Sequence, residues 1–144
     1  RRQACEDRRR REGAVREVMR ILTEAALDHE FGIKAKLASG GDYGCMCAVF
    51  DGDVVFDEPV ALEDTYFYKL NSSVPGDVGT ILFTGNVTCT GHASISDRLM
   101  CLIVLGDFRA PKLSVFETEM LVCGTLEVGE LDDRDDYLTA LDRR

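Results

Sequence analysis

The chain has 144 residues, 45% of them hydrophobic and 30% charged, with a net charge of −9. That is one domain of ordinary globular composition, long enough to bury a core without staples. The composition argues against wholesale disorder, and the acidic balance argues against nucleic-acid binding by the body of the protein.

The charge is unevenly placed. Residues 1–20 hold eight Arg against Glu6, Asp7, Glu12 and Glu17, which gives +4 and leaves −13 for the rest. The run Arg8–Arg11 is read as a solvated helix face or an arm docked on acidic surface, because one short basic run is weak grounds for an anionic partner. The chain begins with Arg1 rather than Met, as a fragment or a processed product would. No apolar run approaches a membrane-spanning length, and no signal peptide is visible.

In chain order, residues 1–32 read as a helical arm or cap. Val15, Val18, Met19, Leu22 and Ala26 recur at helical spacing, with Ile21 and Ala25 on the flank. The pattern fades at Asp28-His29-Glu30, and Gly32 is the expected stop. Gly13 weakens the helix upstream. The expected use of this helix is to cap one end of a sheet structure. Ala38-Ser39-Gly40-Gly41-Asp42-Tyr43-Gly44 is a loop by composition.

Beyond the loop, residues 45–128 lose helical spacing and gain Val, Ile, Phe, Thr and Cys between Gly, Asp and Pro, which is strand composition. An internal repeat organises them. Gly52, Gly85, Gly106 and Gly124 serve as anchors. Val49, Leu82, Ile103 and Leu121 stand three residues before them, and Phe50, Phe83, Val104 and Val122 two before. Asp53, Asn86, Asp107 and Thr125 follow immediately. Val54, Val87, Phe108 and Leu126 come two after, and Phe56, Cys89, Ala110 and Val128 four after. Apolar residues at plus two and plus four share one strand face. Gly followed by Asn or Asp tolerates positive φ, so each unit reads as strand, corner, strand. A third segment follows, with Val60 and Leu62, then Ala93 and Ile95, then Leu113 and Val115 one residue early.

The anchors are 33, 21 and 18 residues apart, and the last two spacings match one turn of a parallel β-helix at about 20 residues per coil. The first is lengthened by an insertion within Tyr66–Gly79, whose loop is Asn71-Ser72-Ser73-Val74-Pro75-Gly76. The expected fold is mainly β with an N-terminal helix: a parallel β-helix (solenoid) of three to four coils, with Val54, Val87, Phe108 and Leu126 as one interior ladder. The alternative is an antiparallel β-sandwich or barrel. Residues 129–144 form an acidic tail, or a short capping helix with Tyr137, Leu138 and Leu141 on its face.

The stretch Leu102-Ile103-Val104-Leu105-Gly106-Asp107-Phe108-Arg109-Ala110, with Phe83-Thr84-Gly85-Asn86-Val87 and Val122-Cys123-Gly124-Thr125-Leu126-Glu127-Val128, resembles the repeats of bactofilins. These are bacterial polymer-forming cytoskeletal proteins built as parallel β-helices. The resemblance covers Cys45 to Val128 and implies a self-associating, non-catalytic role. The long helical N-terminus and the smaller coil number depart from that family and put filament formation in doubt.

No catalytic, cofactor-binding or metal-binding residue is assigned. His29 and His92 stand alone, without zinc spacing. Cys45-x-Cys47 lacks a second pair and reads as core. Gly40-Gly41-Asp42-Tyr43-Gly44 lacks the Lys-Ser/Thr of a phosphate loop. Asp51, Asp53 and Asp57 lack calcium-loop spacing. Ser94 and Ser96 have no nucleophile-elbow context, and the pair Glu58 and Glu63 is of a kind that arises by chance among 26 acidic residues.

Six Cys lie mostly in apolar segments, which favours free buried thiols and a cytoplasmic location. The acceptors Asn71-Ser72-Ser73 and Asn86-Val87-Thr88 point instead to a secreted glycoprotein, although Asn86 also fills a corner slot that calls for Asn or Asp. The reading is a structural or protein-interaction domain, a homo-oligomer or a bacterial accessory protein of the immunity type, with no cofactor and no membrane span. The rival is a small-ligand binder or enzyme on a β-barrel.

Overall fold

The computed structural model describes residues 19–40, 43–62, 78–95, 99–133 and 138–143. Among them the chain is mainly β, with one α-helix, and its strands form a mixed sheet curled like half a barrel. In order these are β1 (Met19–Leu22), α1 (Glu24–Phe31), a 3-10 turn (Lys34–Lys36), β2 (Met46–Phe50), β3 (Val54–Phe56), β4 (Val60–Leu62), β5 (Val78–Phe83), β6 (Val87–Cys89), β7 (Ala93–Ile95), β8 (Cys101–Val104), β9 (Phe108–Val115), β10 (Glu119–Asp133) and β11 (Leu138–Arg143).

Among the described residues, all the pairings except β1 with β2 are parallel. β2, β5, β8 and the start of β10 pair in that order, and β11 adds to the far side of β10. β3, β6, β9 and the middle of β10 form a second row, and β4, β7, the end of β9 and the end of β10 a third. The register agrees with the anchor spacing. Val54 pairs with Val87, Val87 with Phe108 and Phe108 with Leu126. The one-residue offset after Gly106 is also present, since Ala93 pairs with Leu113 and Ile95 with Val115.

The rows differ in burial for a simple reason. In the first, consecutive residues such as Ile81, Leu82 and Phe83 are all buried, because both faces are covered. One face joins the main core with Phe50, Phe83, Val104, Phe108 and Leu126. The other, with Val49, Leu82, Ile103 and Leu121, is covered by Leu27, Ile33 and Leu37. In the second row only one face is covered, so Phe108 and Ala110 are buried while Arg109 between them is exposed.

Three readings of the sequence are corrected. The stretch through Met19–Leu22 is a strand, not helix, and the helix starts at Glu24; residues 15–18 lie outside the described residues. Ile21 packs toward the main core and Leu22 toward the second cluster, so neighbours face opposite ways, as in a strand. Thr23 caps α1, accepting from the Ala26 N–H at 3.1 Å, and Gly32 stops it in the left-handed conformation, as expected. The helix lies across the outer face of the first row rather than capping an end. Residues 138–143 are strand, not helix, and Leu138 and Ala140 join the main core at every second position.

The corner glycines also have a different cause. Of the four anchors only Gly52 has positive φ, at 96°. At Gly85, Gly106 and Gly124 an added Cβ would lie 2.6, 2.6 and 2.5 Å from the carbonyl oxygen of the preceding anchor glycine. Each corner stacks on the one before, and a side chain has no room.

Candidate functional site

The corner residues after these glycines form a ladder. Asp53 Oδ1 accepts from the Asn86 N–H at 2.8 Å, Asn86 Oδ1 from the Asp107 N–H at 2.8 Å, and Asp107 Oδ1 from the Thr125 N–H at 2.9 Å. Asp or Asn is therefore required at the corner as a side-chain acceptor for the next backbone donor. This accounts for Asn86 whatever its acceptor motif does, while Asn71 lies outside the described residues.

A second polar cluster joins the N-terminal segment to the sheet. Glu24, in the first turn of α1, accepts from the backbone N–H groups of Tyr43, Gly44 and Cys45 at 2.8, 2.8 and 3.2 Å. A carboxylate suits both the helix N-terminus and three converging donors. From the other side Glu119, only 6% exposed at the start of β10, reaches the loop. Its Oε1 accepts from the Ser39 hydroxyl and from the Tyr43 hydroxyl, the latter at 2.5 Å. The two hydroxyls also meet at 2.9 Å, and Oε2 accepts from the Ser39 N–H at 3.4 Å. Burial, followed by the Glu119 carboxylate, raises the Tyr43 phenol above its ordinary value and keeps it protonated as a donor.

A groove of about 390 Å³ opens beside this cluster, lined by Ala38, Ser39, Tyr43, Met100, Glu117 and Glu119. Glu117 holds φ at 51°, the positive-φ position among the described non-glycine residues, and Met100 is 41% exposed. Just behind lie thiols. Cys47 pairs with Thr80 and Thr80 with Cys101 across the strands, and Cys45 Sγ lies 3.4 Å from Thr80 Oγ1. Burial, with Cys45 nearby, pushes the Cys47 thiol up to about 12; burial alone takes Cys89 to about 11; burial, with Glu119 nearby, raises Cys101 as well. These are neutral packing groups rather than nucleophiles.

The remaining residues weighed in the sequence are dispersed. His29 is exposed on α1, and His92 Nε2 meets Ser114 Oγ at 2.8 Å. Asp51 receives a two-pronged bond from Arg20, whose third nitrogen reaches Glu30. Asp53 belongs to the ladder, and Asp57 and Glu58 are exposed. Ser94 is half-buried on β7. Arg8–Arg11, Gly41, Asp42, Glu63 and Ser96 lie outside the described residues. Among the described residues no group of three His, Cys, Asp or Glu side chains could hold a metal ion, and no helix is long and apolar enough to cross a membrane.

Sequence reasoning did not single out Glu119. The available signal was its slot. It stands in register with Cys101, on the face where α1 and the loop lie, so a carboxylate there replaces the small residues of the preceding strands. Compared with protein-family models, curated proteins and solved structures, the chain matches none.

Proposed function

We propose that this chain is a non-catalytic structural or protein-interaction domain, a parallel β-helix of three to four coils that self-associates through the edge of its first coil, which has no further strand partner among the described residues. The parallel registers, the stacked corner glycines and the side-chain ladder support the coil reading, since each repeats from one pass of the chain to the next. The resemblance to bactofilin repeats points the same way, and an accessory role beside another protein is the form it would take without self-association.

The observation that carries the function is the edge at β3. Among the described residues β3 pairs only with β6, and β4 only with β7. Val54 donates to Asn86 O at 2.8 Å, toward β6. In a parallel pair, alternate residues bond to opposite sides, so the Val55 N–H and C=O face the open edge. Val55 is also 60% exposed. A sheet edge unpaired among the described residues, with an exposed β-branched residue on it, is a template for another strand.

Sedimentation velocity across about 1–100 μM tests this reading. The expected result is a concentration-dependent oligomer that Val55→Lys weakens by about tenfold or more, since charge on an edge opposes pairing. Val55→Thr, which keeps strand propensity, should leave it nearly unchanged. A strict monomer throughout that range overturns the self-association.

A further inference from the structure

Residues 19–37 form a strap across the outer face of the first row, and its attachment differs from the rest of the fold. Among the described residues β1 pairs only with β2, antiparallel, while β2 keeps β5 on its other side. The strap's buried side chains, Leu27, Ile33 and Leu37, all belong to the second cluster, and Ile21 only borders the main core. Beneath them the sheet is not uniformly aliphatic. Cys47, Thr80, Cys101 and Glu119 stand in register across four strands, two residues before Val49, Leu82, Ile103 and Leu121. Small or polar side chains there offer less apolar area to bury. A cavity of about 10 Å³ is left at this seam, with Leu27, Ile33 and Leu37 on one side and Cys47, Thr80 and Cys101 on the other, so dispersion contacts are lost. The tie from Arg20 to Asp51 joins side chains 39% and 42% exposed, where an ion pair contributes little. Ser39, held by Glu119, marks the strap's far end.

We propose that the strap opens as a unit from an otherwise folded sheet, so that in the open form Cys47 and Cys101 meet solvent while Cys89, inside the main core, does not. A four-residue strand and an eight-residue helix do not persist in water alone. Opening is therefore local unfolding of the strap, and the parallel pairings of the sheet remain. This conformational device does not depend on self-association.

The three thiols, all buried in the closed form, report on it. The full chain, kept reduced, is alkylated with N-ethylmaleimide across a urea series below the main unfolding transition. Labelling at each Cys is read by peptide mass spectrometry against the fully unfolded chain. Cys47 and Cys101 are expected to label at a common rate, at least about tenfold faster than Cys89 without urea. Their rate should rise with urea less steeply than that of Cys89, because less surface is exposed. Phe108→Ala weakens the main core in the closed and open forms alike. It should speed Cys89 by about a hundredfold or more and leave Cys47 and Cys101 within about twofold of the parent. Should Phe108→Ala fail to fold, Val115→Ala, a smaller truncation in the same core, makes the same comparison. The proposal is overturned if Cys89 labels as fast as the other two, if Cys47 and Cys101 label at unrelated rates, if neither responds to urea, or if the core variant speeds all three alike.

Discussion

Substituting Gly106 by Ala separates two accounts of why the corners need glycine. Gly106 lacks the positive φ that would make any side chain strained. If backbone conformation were the reason, alanine would be tolerated. In the structure, however, the new Cβ would sit 2.6 Å from the Gly85 carbonyl oxygen and would also press on Asn86 Oδ1. Both are held atoms rather than the free ends of flexible chains. Two bonds cross at this point: Gly106 N–H to Gly85 O at 3.2 Å, and Asp107 N–H to Asn86 Oδ1 at 2.8 Å. Overpacking costs about 1–3 kcal/mol, and loosening one of these bonds adds about 1 kcal/mol. A loss of about 2–4 kcal/mol follows, which in urea is a midpoint lower by about 1–2 M. Gly52→Ala is the companion variant. Nothing lies within 4 Å of its added Cβ, but its φ is 96°, so its cost of about 1–3 kcal/mol is conformational. Equilibrium urea unfolding followed by circular dichroism measures both. A Gly106→Ala protein within about 0.5 kcal/mol of the parent, the range of an ordinary surface substitution, would refute the stacking account.

Other outcomes follow from the same contacts. Asn86→Asp keeps the acceptor but places a third charge between Asp53 and Asp107. At a strand spacing of about 4.8 Å, two such repulsions cost roughly 2 kcal/mol in dilute salt, and thermal melts should show most of the loss removed by 1 M salt. Phe108→Ala empties a fully buried position in the main core and should cost about 3–5 kcal/mol in denaturant unfolding. Glu24→Ala strips the acceptor from three backbone donors, and hydrogen exchange should quicken at Tyr43 to Cys45 with about 1–3 kcal/mol lost. The buried thiols set an alkaline limit. Cys47 and Cys89 ionise near 12 and 11 when folded, against 9.0 for an ordinary thiol. Their raised values leave stability intact below pH 9 and remove it as pH climbs from 9 toward 11 and 12, because the unfolded chain gives up its protons first. Each thiol steepens that decline by up to about 1.4 kcal/mol per pH unit. Cys47→Val should flatten the fall of the melting temperature between pH 9 and 11, and an unchanged slope would count against neutral burial.

The strand registers were legible because the signal is local and repeated. Val54, Val87, Phe108 and Leu126 stand at one offset from a glycine, and parity alone assigns them a common face. The termini were misread because their apolar residues satisfy two periods at once. Met19, Ile21 and Leu22 fit a helix stripe, but β2 offers an edge at that place, and pairing with it decides the matter. Leu138 and Ala140 behave alike beside β10. The groove could not be read in advance. Glu119 meets Ser39 and Tyr43 across 80 and 76 residues, and nothing in a local window records such a meeting. The corner glycines show a subtler limit. Their presence was plain, but conformational freedom and close approach leave the same letter in the sequence.

The ladder at the corners has a direction. Asp53, Asn86 and Asp107 each accept, through a side-chain oxygen, the backbone N–H of the corner that follows. The column is thus a one-way street, running from a side-chain acceptor at Asp53 to a backbone donor at Thr125. Two such columns could be joined into a longer one only head to tail, because apposing like ends would set donor against donor or acceptor against acceptor. Polarity along the axis is written into the corners, before any surface residue has a say.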